Sequence, residues 1–246
     1  MKEIIQIARP VIAEFDRFKR DFSNTLECEN PLLKSAIEHV LRTNGKHVRP
    51  LLLLLSAKAF GNVTEITQKA ALIFEILHTA SLIHDDVVDE TKQRRGVPSL
   101  NAIFDNRIAV LTGDYILAIA ILKATEAGSL ALIRIIAEVC RELSEGELTQ
   151  LDNADKYSID EDEYFVMIRK KTAALISACA EMGAISAGAS ADIAAKFRIF
   201  GEYLGYCFQI KDDIFDYYDD KNIGKPTKND ILEGKITLPL IYALKT

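Results

Sequence analysis

Three aspartates and a glutamate close an apolar run in LIHDDVVDE (82–90), and QIKDDIFDYYDD (209–220) repeats the Asp-Asp-x-x-Asp spacing behind a second apolar run. Residues four apart on a helix lie about 40° apart around the axis and about 6 Å along it. Asp85 therefore shares a face with Asp89, and Asp212 with Asp216, with Asp86 and Asp213 flanking them. Like charges this close, behind buried side chains, either hold protons or recruit cations. Sparse hard oxygen ligands suit Mg²⁺, which keeps several waters and joins one or two carboxylates to substrate phosphates. The pattern points to a phosphorylated substrate. Two solvated helix ends are the plain alternative. With 18 aspartates in 246 residues, however, two chance copies are expected only roughly 0.005 times.

The cations fall where such a substrate needs them. NGKHVRP puts Lys46 and Arg49 at a helix start, where free backbone N–H groups also favour anions. KQRRG puts Arg94 and Arg95 just beyond the first aspartates, and RKKTAA sets Lys170 and Lys171 in an otherwise apolar helix. Arginine grips phosphate bidentately and lysine supplies a mobile point charge. His78, upstream of the aspartates, reads by itself as a core histidine with a satisfied hydrogen bond. A weak internal repeat links the halves: a basic stretch, Gly96 and Pro98 follow Asp85, and a basic stretch, Gly224 and Pro226 follow Asp212.

Helices must position these groups. Apolar residues recur at spacings of three and four, as in Ile4, Ile7, Val11, Phe15, Phe18, Phe22 and in Ile73, Ile76, Leu77, Ala80. Stop and start signals fall at TNGK (43–46), FGNVT (60–64), EAGS (126–129), NADKYS (153–158) and GAS (188–190), which predicts about eight helices and no strands. Ser158 with Glu161 fits a capping box opening the helix that carries Lys171. The stretches 66–84 and 172–189 are apolar on most faces and belong at the centre. No composition shift marks a second domain, so 1–246 reads as one all-α unit.

A formal charge of −6 excludes the basic footprint of a nucleic-acid binder. Cys28, Cys140, Cys179 and Cys207 lack metal-site spacing and read as buried thiols in a reducing compartment, which implies a cytoplasmic location. The longest uninterrupted apolar run, PLLLLLSA, is far shorter than the roughly 20 residues of a membrane span.

Taken in order, GKHVRP, LHTASLIHDDVVDE, RRG, LTGDYILA, KKTAAL, FQIKDDIFDYYDD and IGKPTKNDILEGKITLPLIYAL resemble the trans-isoprenyl diphosphate synthases, and most closely their long-chain octaprenyl and polyprenyl members. The resemblance covers nearly the whole chain. It implies an all-α isoprenoid synthase fold around a deep cavity, a homodimer, and condensation of isopentenyl diphosphate with an allylic diphosphate such as farnesyl diphosphate. It implies three Mg²⁺ held chiefly by Asp85, Asp89 and Asp212, with Asp86, Asp213 and Asp216 acting through water. The allylic diphosphate falls to Arg94, Lys171, Thr172, Gln209 and Lys225, with Lys235 also in the substrate site, and isopentenyl diphosphate to Lys46, Arg49, His78 and Arg95. The family continues for several helices beyond LPLIYAL, so the resemblance also implies that 1–246 lacks the last of them. Chain length is read from the helix ahead of Asp85: Ser81 one turn deeper with Ala80 beside it, Leu77 two turns and Phe74 three. The two nearest positions are small, which predicts products longer than twenty carbons. A class I terpene cyclase, a regulatory subunit and a Ca²⁺-binding scaffold are the rival readings. The first does not need GKHVRP, the second should have lost aspartates, and the third leaves the cations unexplained. No nucleic acid, and at most peripheral membrane contact, is expected.

Overall fold

The computed structural model describes residues 2–42, 45–156, 160–218 and 235–245. Its helices are α1 (Lys2–Ala8), α2 (Ile12–Thr25), α3 (Pro31–Arg42), α4 (Val48–Phe60), α5 (Glu65–Val88), α6 (Leu100–Phe104), α7 (Asn106–Glu126), α8 (Leu130–Lys156), α9 (Glu161–Ile168), α10 (Ala174–Ser186), α11 (Ala191–Asp216) and α12 (Leu238–Lys245). The sequence breaks fall within a few residues of these ends. Pro10 turns the first expected helix into two, joined by a 3₁₀ turn over Arg9–Val11.

α5 lies at the centre, packed by α4, α7 and α10. Thr64 starts it with a capping box: its hydroxyl accepts from the Thr67 backbone N–H, and the Thr67 hydroxyl accepts from the Thr64 N–H. Ile73, Phe74, Ile76, Leu77 and Ala80 are all buried, on several faces of the helix. Each large side chain among them contributes about 2 kcal/mol of hydrophobic stabilisation. α10 is buried almost all round, between α4 and α11. α11 approaches it through Gly201 and Gly205, where added Cβ atoms would lie 2.7 Å from Ser177 Cα and 2.5 Å from Ala173 Cα. Small residues at this spacing bring the end of α11 close to the Lys171 segment.

Four expectations are corrected. The helix expected through 172–189 is interrupted at its start by a π turn, Arg169–Ala173, between α9 and α10. The capping box belongs to Asp160 and Glu163, where Asp160 Oδ1 accepts from the Glu163 N–H at 2.8 Å; Ser158 lies outside the described residues. A small hairpin is present, β1 (Gln93–Arg94) antiparallel to β2 (Val97–Pro98). Its turn residues, Arg95 (φ 54°) and Gly96 (φ 79°), both have positive φ, the signature of a two-residue type I′ turn. Of the cysteines only Cys179 is buried, and Cys207 is exposed. In addition, α7 is long and apolar enough to cross a membrane by length and composition, with 33% of its most apolar window buried in this fold. That stretch escaped the run-length reading because Asp114 interrupts it.

Candidate active site

Both acidic motifs end helices. Asp85 and Asp86 occupy the last turn of α5 with Asp89 as its C-cap, and Asp212, Asp213 and Asp216 lie in the last two turns of α11. A helix C-terminus is the negative end of the macrodipole, so carboxylates there oppose stability and favour an incoming cation. The two ends face one cavity of about 260 Å³, lined by Asp85, Asp89, Asp212 and Asp213 together with Arg94, Lys171, Thr172, Gln209 and Lys235. Burial, and then the nearby carboxylate of Glu147, push Asp85 up to about 6, against the pull of Lys171 and Arg94. Among the described residues no group of three acidic, histidine or cysteine side chains forms a ready-made metal cage. The arrangement instead offers sparse carboxylates across a gap, which fits a hard divalent cation that keeps part of its water shell.

The inner aspartate of each motif is held by the protein. Asp86, buried, pairs with Arg94 through Nε at 2.8 and 2.9 Å and through Nη2 at 2.7 Å. This contact bends the β1–β2 hairpin back onto α5. Asp213, also buried, accepts from the Tyr164 hydroxyl and from Gln209 Nε2 at 2.7 Å. The Thr172 hydroxyl in turn donates to Gln209 Oε1 at 2.6 Å. Lys235 reaches Asp89 at 3.2 Å. Asp216 sits on α11 one turn beyond Asp212 and does not line the cavity.

A second pocket adjoins the first, with Arg94 and Leu82 lining both. His78, Arg95, His47, Glu75 and Asp86 line it, with Gly45 at its edge. A Cβ on Gly45 would lie 2.6 Å from the Arg95 guanidinium, so the hairpin turn and the GKHVRP segment meet there. His47 adopts φ 49° as N-cap of α4, bonds Glu75 Oε1 through Nδ1 at 2.7 Å, and sits edge-on to Phe18 and Phe22 of α2. Arg49 is half-buried behind this wall and donates from Nη1 to His78 Nε2 at 2.9 Å. Its Nε is buried without a partner. Desolvation lowers the pKa of half-buried Arg49, and desolvation followed by the neighbouring charge of Arg94 lowers that of the more exposed Arg95. Cations so stressed gain from a bound anion. Lys46 is exposed and does not line the pocket.

Lys225 lies outside the described residues. Phe74, Leu77 and Ala80 are buried in the core and Ser81 is half-buried, its hydroxyl donating to the His78 carbonyl; none of the four lines either cavity. The sequence reading did not single out Tyr164 or Glu147. Tyr164 carries no spacing signal, since its partner Asp213 lies 49 residues away.

The sequence model of polyprenyl synthetase matches residues 30–246. The chain is 39% identical to heptaprenyl diphosphate synthase component 2 of Bacillus subtilis over 237 residues, 94% of this chain and 67% of that one. It superposes with TM-score 0.93 on a polyprenyl synthase from Caulobacter crescentus complexed with calcium and isoprenyl diphosphate, at 33% identity over 98% of this chain and 74% of that one. A geranylgeranyl pyrophosphate synthase from Bacteroides thetaiotaomicron matches at 46% identity and TM-score 0.83, covering 99% of this chain and 74% of that one. Two acidic helix ends across a cationic cavity, in a chain similar to these along nearly its whole length, make the conclusion plain: the chain belongs to the polyprenyl synthetase family, all-α prenyl-transferring enzymes.

Proposed function

We propose that this protein elongates an allylic prenyl diphosphate by head-to-tail condensation with isopentenyl diphosphate, releasing diphosphate and giving a long all-trans product. The observation that carries the reading is the pair of adjoining sites: one cavity framed by opposed aspartates, the other a cationic pocket, with Arg94 between them. Asp85, Asp89 and Asp212, which line the cavity, would hold Mg²⁺, while Asp86 and Asp213 stay tied to Arg94, Tyr164 and Gln209. Calcium in the Caulobacter neighbour supports a divalent ion. Bound there, the metal supplies stabilisation of the charge that develops on the departing diphosphate.

The chain's own residues supply the rest. Arg94 and Lys171 clamp the allylic diphosphate so that its C–O bond ionises, and Thr172 and Gln209 orient it. Leu82, Met167 and Ile168 line the same cavity and keep water from the allylic cation. Arg95 and His78 hold isopentenyl diphosphate with its double bond toward that cation. Attack forms the new C–C bond, and a proton passes to the released diphosphate. A homodimer formed through the exposed apolar stripe of α7, and a cytoplasmic location for the free thiols, complete the proposal.

Incubation with isopentenyl diphosphate, farnesyl diphosphate and Mg²⁺, followed by chromatography of the dephosphorylated products, tests it. Prenols longer than twenty carbons are expected. Cyclic hydrocarbons would favour a cyclase, and no product would sink the proposal. Asp85→Ala and Asp212→Ala should each lower turnover by roughly 10³-fold or more with the helical circular dichroism unchanged, as should a chelator. Near wild-type turnover at saturating Mg²⁺ would count against the metal assignment.

A further inference from the structure

Lys171, which lines the cavity between the acidic helix ends, pairs with a carboxylate that neither motif supplies. Glu147, on α8, pairs through Oε2 with Lys171 Nζ at 2.7 Å, and its side chain is 13% exposed. Its Oε1 is buried with no hydrogen-bond partner.

The backbone beneath the pair is tightly seated. A Cβ on Gly146 would lie 2.6 Å from the Lys171 backbone nitrogen and 2.9 Å from Lys170 Cβ, so α8 meets the π turn through a glycine. Glu142–Arg169 at 3.2 Å and Glu145–Lys170 at 2.8 Å fasten the same two elements. π turns of this kind recur at functional sites, where they redirect a side chain out of the helical register. Here Lys171 points into the cavity that Asp85, Asp89 and Asp212 share.

Lysine has a flexible stem and a strongly hydrated head, so its ammonium settles on whichever carboxylate is nearest. Asp85, Asp89 and Asp212, which line the cavity with Lys171, are such carboxylates. A lysine paired there would occupy an oxygen wanted by metal. We propose that Glu147 is a positioning residue for diphosphate departure: it holds the Lys171 ammonium at the allylic end of the cavity and away from the metal-binding aspartates. The inference rests on the synthase reading above. It adds the source of Lys171's placement and the reason a half-buried acid stands beside the acidic motifs.

The test compares wild type, Glu147→Gln, Lys171→Gln and the double variant. In Glu147→Gln, kcat/KM for the allylic diphosphate should fall about tenfold or more, and the Mg²⁺ concentration for half-maximal rate should rise. KM for isopentenyl diphosphate should stay within about twofold, since that substrate sits in the other pocket. Without turnover, Mn²⁺ titration by electron spin resonance and calorimetry with inorganic pyrophosphate plus Mg²⁺ should both show weaker binding. The double variant should be no worse than Lys171→Gln, because both changes act through one ammonium. Losses that multiply in the double variant, equal rises in both KM values, or wild-type metal binding in Glu147→Gln would overturn the inference. If Glu147→Gln does not fold, Glu147→Asp is measured in the same way: it keeps the charge but retracts it by one methylene, and unchanged allylic kinetics would be decisive against the role. A wild-type protein that makes no prenol defeats the synthase reading. In that event the Mn²⁺ and pyrophosphate binding arms still decide this one.

Discussion

His78 accepts a hydrogen bond from Arg49 on its Nε2 and is half-buried among cations. Burial first, then Arg49, Arg95 and Arg94, hold its pKa well below the ordinary histidine value. The unfolded chain titrates this group near about 6.5. Below that pH the unfolded state binds the proton that the folded state refuses, so the contribution of His78 to stability is present above about 6.5 and lost as pH falls toward its depressed folded value. Thermal unfolding at pH 7.5 and 5.5 should show a smaller acid-induced drop for His78→Gln than for wild type, and equal drops would mean that other groups carry the effect. Tyr164 makes a second residue-scale case. Its hydroxyl donates to buried Asp213, which also receives Gln209 and so ties Thr172 into one relay. Tyr164→Phe leaves a buried carboxylate oxygen without its donor, at a cost of about 1–3 kcal/mol. Lower melting temperature and a roughly tenfold loss of allylic kcat/KM, with KM for isopentenyl diphosphate unmoved, are expected. Retention of wild-type stability and kinetics would show that the relay is idle.

At the scale of elements, three short departures from plain helix do the aiming. The I′ turn at Arg95–Gly96 lets Arg94 return to Asp86 while Arg95 faces the other pocket. The π turn presents Lys171 and Thr172. The left-handed His47 starts α4 so that Arg49 points inward. α5, by contrast, is unbroken from Glu65 to Val88, and the expectation that it sets product length rests on Ser81. Ser81 is half-buried one turn inside Asp85, whereas Ala80 is fully buried, so a phenylalanine fits at Ser81 with less overpacking. Ser81→Phe should shorten the products, read by chromatography of the prenols. Unchanged lengths in a folded variant would place the chain's path elsewhere.

On the whole molecule, the outer side of α7 carries Leu111 at 67% and Leu122 at 52% exposure, with Ala118 between them at seven and four residues. The inner side of the same helix is packed on α5. Such a stripe on a long helix suits a second copy of itself, which would also place two active sites on one rigid seam. Sedimentation should show a dimer for wild type and a shift toward monomer for Leu111→Glu with Leu122→Glu. A wild-type monomer at micromolar concentration would leave the stripe to another partner.

Local chemistry is legible in a sequence because helix period, caps and breakers act over a few residues. The all-α class, the breaks near Phe60, Glu126 and Ser186, and both aspartate spacings were determined at that range. So were the cations of RRG and KKT, since their types alone suit diphosphate. The roles within each motif were not. Asp85 and Asp86 are adjacent in the chain, yet one faces the cavity of opposed aspartates while the other anchors Arg94, because a helix turns about 100° between them. Tyr164 and Asp213 meet across 49 residues, and Glu147 meets Lys171 between two separate helical elements. Which carboxylate binds a cation and which holds a neighbour depends on contacts made only after the helices pack, through close approaches at Gly146, Gly201 and Gly205. Burial then sets the strength of each charge, and burial belongs to the tertiary structure alone.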